Sequence, residues 1–218
     1  MRVFADRREA GRVLSRALER LREHDPVVLG LPRGGVPVAY EVAQALGAPL
    51  DVFVVRKLGV PWQPELAMGA IASGGVVVRN ESVLAGMEDA DEALERVRGR
   101  ELEELERRER AYRGGRSAVP LVGRTVIVVD DGLATGSSMK AAVEALRRAG
   151  VERIVVAVPV GPPGTCRQLE TIADDVICLE RPAMFMAVGQ WYQDFGQTGD
   201  EEVSELLGQA SAGDSGHA

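Results

Sequence analysis

Two adjacent carboxylates, Asp130 and Asp131, follow the apolar run Val126-Ile127-Val128-Val129, and Ala134-Thr135-Gly136-Ser137-Ser138 comes a few residues later. The apolar run reads as a buried strand, and Ser137 to Ala149 reads as a helix. The segment therefore carries two acids at a strand tip and a small-residue loop into a helix N-terminus. Hydroxyls and backbone N–H groups at the positive end of a helix suit a phosphate. Paired carboxylates suit vicinal hydroxyls or a hydrated Mg2+ ion. A phosphorylated sugar satisfies both halves at once.

Two further segments have the right chemistry for the same ligand. Leu29-Gly30-Leu31-Pro32-Arg33-Gly34-Gly35 ends a short apolar run with an arginine and two glycines. Such glycines let backbone amides approach an anion, and Arg33 can fork onto phosphate oxygens. Val54-Val55-Arg56-Lys57 ends another apolar run in adjacent cations, and Lys57 and Lys140 are the only lysines. Read singly, the first is also an ordinary strand-to-helix turn and the second a salt-bridged strand end. Beside the 126–138 segment they complete an anion site.

The elements that position these residues follow from periodicity. Phe4 to Arg22 has helical spacing with Asp6 as N-cap, Val27 to Leu31 is a strand, Val36 to Leu46 is a helix closed by Gly47, and Leu50 to Val55 is the next strand. Arg56 to Glu65 reads as a polar loop, and Gly69 to Val78 as a hairpin turning at Ser73-Gly74-Gly75. Asp91 to Arg113 is a charged helix with i, i+4 pairs Glu103/Arg107, Glu104/Arg108 and Glu109/Arg113. Its narrow stripe of Leu94, Val97, Leu102 and Leu105 leaves a solvated face, a lid and an oligomer contact all open. After Thr125 come strand 126–129, helix 137–149, strand 154–158, helix 164–172 and strand 175–179. That alternation implies βαβ units and a parallel sheet of about five strands flanked by helices, with ligands at the strand carboxyl ends. Residues 1–207 read as a single domain, and 208–218 as a disordered Gly/Ser/Ala tail.

The 218-residue chain is 45% apolar and 27% charged, enough for a substantial core, and its net charge of −7 argues against non-specific nucleic-acid binding. Cys166 and Cys178 are too few for a disulfide framework, and His24 and His217 are the only histidines, so a zinc site or a His-based triad is disfavoured. No apolar run is long enough to span a membrane, and the N-terminal residues lack a signal-peptide core. The chain reads as cytoplasmic, with no membrane partner.

The 126–138 segment resembles the signature of the type I phosphoribosyltransferases: four apolar residues, two acids, a short linker, then Thr-Gly and hydroxyl residues. The Arg56-Lys57-Leu58-Gly59 to Gly69-Ala70-Ile71 stretch and Ala187-Val188-Gly189-Gln190-Trp191-Tyr192-Gln193-Asp194-Phe195 resemble a bacterial subgroup of that family with no settled acceptor. The resemblance implies that residues 134–138 hold the 5-phosphate of 5-phosphoribosyl-1-pyrophosphate (PRPP). It implies that Asp130 and Asp131 hold the ribose hydroxyls and, directly or through water, Mg2+. Arg33, Gly34, Gly35, Arg56 and Lys57 would bind pyrophosphate, with a non-proline cis peptide expected near Pro32-Arg33-Gly34. Asp130, Asp131, Arg56 and Lys57 form the expected catalytic set. A flexible loop or hairpin at about 58–78 would close over the site. A hood at about 180–197 would offer Phe185, Trp191 and Tyr192 to a planar acceptor, although Trp191, Tyr192 and Phe195 could equally pack the C-terminus onto the sheet.

The implied reaction is transfer of phosphoribose from PRPP to a small, nucleobase-like acceptor, with a homo-oligomer, most simply a dimer, as the working form. Ala134 stands where 6-oxopurine enzymes carry Asp, which argues against that specificity. A non-catalytic phosphoribosyl sensor, or a hydrolase or phosphorylase acting on a phosphoribosyl compound, would use the same pocket.

Overall fold

The computed structural model describes residues 2–214. Asp6 caps the first helix, α1 (Arg7–Leu18), its Oδ1 accepting from the Glu9 N–H at 2.7 Å. The helix begins later than the apolar spacing suggests because Phe4 is extended: its N–H donates to the Trp191 carbonyl at 2.8 Å, and it forms a parallel bridge with Tyr192. A 3-10 segment, Glu19–His24, leads into β1 (Val27–Gly30), and α2 (Gly35–Leu46) ends at Gly47 as expected.

The next strand, β2 (Leu50–Val52), stops short of Val55. The chain bends at Phe53-Val54 and enters a separate antiparallel sheet of β3 (Val55–Val60), β4 (Gln63–Ala72) and β5 (Val76–Arg79), in the order β3-β4-β5. The expected hairpin at 73–75 is present. The expected loop at 56–65 is not: Leu58, Val60, Met68 and Ile71 are buried, and the exposed part is the tip at 61–66.

A short helix, α3 (Glu81–Leu84), precedes the long α4 (Ala90–Arg113). Leu94, Val97 and Leu105 are buried in the core with Leu58 and Val60, so the apolar stripe of α4 is spent on packing rather than left for a lid. Arg107 pairs with Glu104, not Glu103, at 2.7 Å, and Glu104 also holds Arg108. The two guanidiniums pull the Glu104 carboxyl down to about 2. At the far end of α4, Arg113 Nε donates to the buried Asp51 carboxylate of β2 at 2.9 Å.

The remaining elements alternate as expected: β6 (Thr125–Val129), α5 (Ser137–Arg148), β7 (Arg153–Val160), α6 (Pro163–Leu169) and β8 (Asp175–Glu180). The five main strands are parallel in the order β2-β1-β6-β7-β8. Their side chains divide with period two. Val28, Ile127 and Val155 face a core shared with α1, α2 and α4, while Leu29, Val128 and Val156 face the core of α5 and α6. Each such fully buried valine or leucine stabilises the fold by roughly 1.5–3 kcal/mol.

The last helix, α7 (Asp200–Asp214), corrects the expectation of a tail from Gly208. Val203, Leu206 and Leu207 are buried against the α2 and α4 layer, and the docked helix carries its register through 208–214. Residues 215–218 lie outside the described residues.

Candidate functional site

The strand order makes β1 and β6 neighbours while their following connections run to opposite sides of the sheet, β1 to β2 and β6 to β7. This is a topological switch point, where loops diverge and leave a crevice above the strand carboxyl ends. Both expected ligand loops leave from it. The Leu31 N–H donates to the Val129 carbonyl at 2.9 Å, tying the 31–35 turn to the tip of β6, and the Leu133 N–H donates to the Val160 carbonyl at 2.8 Å.

Glycine at 34 and 35 is demanded by proximity. A Cβ on Gly35 would lie 2.6 Å from the Val129 carbonyl oxygen and 2.9 Å from the Asp130 Cα; one on Gly34 would lie 2.1 Å from Asp131 Oδ2. The 33–35 turn therefore lies directly against the acidic pair. The Pro32–Arg33 peptide is cis, as the family resemblance implies.

Asp130 Oδ1 accepts the Asp131 backbone N–H at 2.9 Å. Burial, then the neighbouring Asp131 charge, pushes the Asp130 carboxyl well above the ordinary carboxylate range. Burial raises Asp131 as well, against the opposing pull of Arg7. Arg7 Nε donates to Asp131 Oδ2 at 2.8 Å, and both side chains are largely enclosed. Sequence reasoning missed Arg7. It lies 124 residues from its partner, and only its place just after the Asp6 cap marks it.

The loop expected to take the phosphate borders a pocket of about 190 Å³ lined by Asp130, residues 132–139 and Val188. Gly136 is the N-cap of α5 with φ 71° and has no side chain to cap the helix; the Ser137 N–H makes only a long 3.4 Å bond to Thr135 Oγ1, which leaves the next first-turn amides facing the pocket's anion position. A Cβ at Gly136 would meet Thr165 Cγ2 at 2.5 Å, and Thr165 Oγ1 donates to the Ala134 carbonyl at 3.0 Å. Thr165 on α6 thus fixes the loop from behind. Thr135 Oγ1 and Ser137 Oγ lie 3.0 Å apart across its mouth.

The expected basic set is only partly assembled. Arg33 Nη1 lies 3.9 Å from Asp200 at the start of α7. Arg56 and Lys57 are consecutive on β3 and therefore face opposite ways. Arg56 shares its face with Leu58 and pairs with Glu101 of α4 at 2.5 Å; Lys57 lies on the other face, with Glu65 at 3.2 Å. In this structure the two cations are therefore engaged by different carboxylates, although both contribute to the lining of one pocket. A pocket of about 490 Å³ lies between the β3–β4 hairpin and α4, lined in part by Arg56, Lys57 and Arg100.

The expected aromatic hood also needs correction. Tyr192 is 6% exposed, with its ring centroid 5.7 Å from Phe4 and 5.1 Å from Phe195, so neither face is open to stack on an acceptor. Burial, then the Asp131 charge, pushes its phenol upward. Trp191 packs with Phe4 and Tyr192 in the same cluster, fixing the N-terminus onto the 188–195 segment. Phe185 is half-buried, and Met184 and Met186 beside it are exposed.

The phosphoribosyl transferase domain family matches residues 5–194. The Mycobacterium tuberculosis H37Rv protein named "Putative phosphoribosyl transferase Rv0571c", and its counterpart in strain CDC 1551 / Oshkosh, are each 51% identical over 210 residues. That alignment takes in 96% of this chain and 47% of theirs, so the chain spans about half the length of the curated relatives it matches. The crystal structure of TT1426 from Thermus thermophilus superposes with a TM-score of 0.85 at 46% identity, covering 95% of this chain and 98% of that one. The acidic pair at the switch point, the glycine turn against it and the anion-ready helix start all fall inside the matched span, and the chain belongs to the phosphoribosyl transferase domain family.

Proposed function

We propose that this chain binds PRPP and transfers its phosphoribosyl group to a small nucleobase-like acceptor. The observation that carries the reading is the convergence of the 31–35 turn and the 130–138 loop on Asp130 and Asp131, with Gly34 and Gly35 in near contact with the two acids. The amides at the start of α5 and the hydroxyls of Thr135, Ser137 and Ser138 would take the 5-phosphate. Asp130 and Asp131 would orient the ribose hydroxyls. Arg33 and the backbone of the 33–35 turn would take the pyrophosphate half, with Lys57 or Arg56 joining when the β3–β4 hairpin moves.

The donor set fits Mg2+: two hard carboxylates share one site, burial raises both, and the Asp131 charge raises Asp130 further. Mg2+ held there through ligand oxygens and water would neutralise charge on the departing pyrophosphate. The bond from the ribose anomeric carbon to pyrophosphate oxygen breaks, its electrons leaving with pyrophosphate, and a bond to the acceptor nitrogen forms with inversion. The proton lost by that nitrogen passes to solvent. Positive charge builds on the ribose ring in the transition state beside the two carboxylates, so positioning and electrostatics carry the catalysis. The exposed 61–66 tip is the part of the hairpin we assign to closing over the donor.

Calorimetric titration with PRPP, with and without Mg2+, tests the reading. Saturable, Mg2+-dependent binding is expected, followed by pyrophosphate release when the right base among purines, pyrimidines and orotate is supplied. Absence of binding at millimolar PRPP overturns it. Pyrophosphate release in water alone points instead to a hydrolase.

A further inference from the structure

Asp131 is held from behind by two residues that the phosphate and ribose chemistry does not use. Arg7 Nε donates to Asp131 Oδ2 at 2.8 Å, and the Tyr192 hydroxyl donates to the Asp131 backbone carbonyl at 2.6 Å. Arg7 is itself fixed in two further ways. Its Nη1 donates to the Gly196 carbonyl at 2.6 Å, and its guanidinium carbon sits 4.0 Å over the Phe195 ring. Tyr192 lies between Phe195 and Phe4. The backbone completes the frame: the Gln193 N–H donates to the Phe4 carbonyl at 2.8 Å and the Asp194 N–H to the Ala5 carbonyl at 2.9 Å. Residues 4–7 and 191–196 are thus laced together, and their joint product is a fixed Asp131.

We propose that Arg7 and Tyr192 are positioning residues that clamp Asp131 so that its free oxygen meets the ribose hydroxyls of the donor. Among the described residues no hydrogen bond reaches Asp131 Oδ1; Oδ2 is committed to Arg7. A carboxylate with one oxygen held by a charge-assisted bond has little freedom to rotate, and its second oxygen is then presented in one direction. Tyr192 fixes the backbone at the same residue, so side chain and main chain are restrained independently. The 188–196 segment therefore serves the sugar, not a stacked acceptor. This inference rests on the ribose-binding role proposed for Asp131.

The test compares ligands that carry the ribose diol with one that lacks it. Dissociation constants for PRPP and ribose 5-phosphate with Mg2+, and for inorganic pyrophosphate without it, are measured for the full chain and for Arg7→Met, Arg7→Lys and Tyr192→Phe. A charge-assisted bond of this type is worth about tenfold or more in an equilibrium constant, and that factor sets the scale expected when the clamp on Asp131 is released. Arg7→Met is expected to weaken PRPP and ribose 5-phosphate by at least that factor and leave pyrophosphate unchanged. Arg7→Lys, which keeps the charge without the fork, should recover part of the loss, and Tyr192→Phe should lose a few-fold on the same two ligands. Parental PRPP affinity in folded Arg7→Met overturns the clamp, as does an equal loss for all three ligands. If Arg7→Met does not fold, Arg7→Lys and Tyr192→Phe carry the same comparison. A parent chain that binds no PRPP overturns the functional reading itself, which separates that failure from failure of the clamp alone.

Discussion

Replacing Gly34 by alanine tests how tightly the 33–35 turn is fitted to the acidic pair. Gly34 has φ −61° and ψ −30°, a conformation any residue adopts, so only space is at issue. The added Cβ would fall 2.1 Å from Asp131 Oδ2, 2.7 Å from its Cγ and 3.3 Å from Arg7 Nε. Relief requires a shift of roughly 1 Å in the carboxylate or the turn, and such overpacking typically costs about 1–3 kcal/mol. For a chain of this size that corresponds to a fall in Tm of about 2–12 °C. The shift also breaks the 2.8 Å bond to Arg7, so PRPP affinity should drop about tenfold or more. Gly99→Ala is the matched control. Gly99 lies inside α4 with open space around its Cβ position, so alanine should stabilise by about 0.8–1 kcal/mol through helix propensity and leave binding unchanged. Thermal melts and calorimetry on the three proteins decide the matter. A Gly34→Ala protein that melts within about 1 °C of the parent, well under the expected shift, and binds PRPP equally refutes the fitted-turn argument.

Asp130→Asn should abolish Mg2+-dependent PRPP binding while matching or exceeding the parent in stability at neutral pH. The sign follows from the raised Asp130 pKa: the folded state holds that proton more tightly than the unfolded chain, so ionisation costs stability as pH rises from the unfolded value through the folded one. Denaturant melts should therefore show the asparagine advantage at pH 7 and its disappearance below about pH 4; a large destabilisation at pH 7 would make the carboxylate structural. Tyr112, buried under α7, donates its hydroxyl to Asp200 at 2.8 Å and is pushed up to about 12 by burial and that carboxylate. Its contribution is present below about pH 10 and lost as pH climbs through about 12. Tyr112→Phe should cost about 1 kcal/mol at pH 7, and the gap to the parent should close in alkaline melts.

Contiguity decides which parts of the site can be read from the sequence. Asp130 to Ser138 is one strand, one turn and one helix start, so its chemistry and geometry are local and both appear in the residue order. Arg33-Gly34-Gly35 is local in the same sense. The 55–65 segment reads as a loop because Gly59, Pro61 and Pro64 look like loop punctuation, whereas its strand character comes from pairing with β4 and from Leu58 and Val60 entering the core. Once it is a strand, period two alone sends Arg56 and Lys57 to opposite faces. The segment after Gly208 misleads for a related reason: composition there is that of a linker, but α7 is anchored upstream by Val203, Leu206 and Leu207 and carries the following residues with it.

The sequence alone determined the parallel α/β architecture, the phosphate-ready helix start and the acidic pair, because each depends on periodicity or on side chains within one turn of each other. Only the tertiary structure decided which charges face those groups. Arg7 reaches Asp131 across 124 residues, Asp200 lies beside Arg33, Glu101 takes Arg56, and Tyr192 serves the backbone of Asp131 instead of an open stacking face. Pairings of this kind are set by how α1, α4, α7 and the 188–196 segment pack around the sheet. That packing is driven by burial of apolar surface, which is non-directional and so leaves no local signature in the order of the residues.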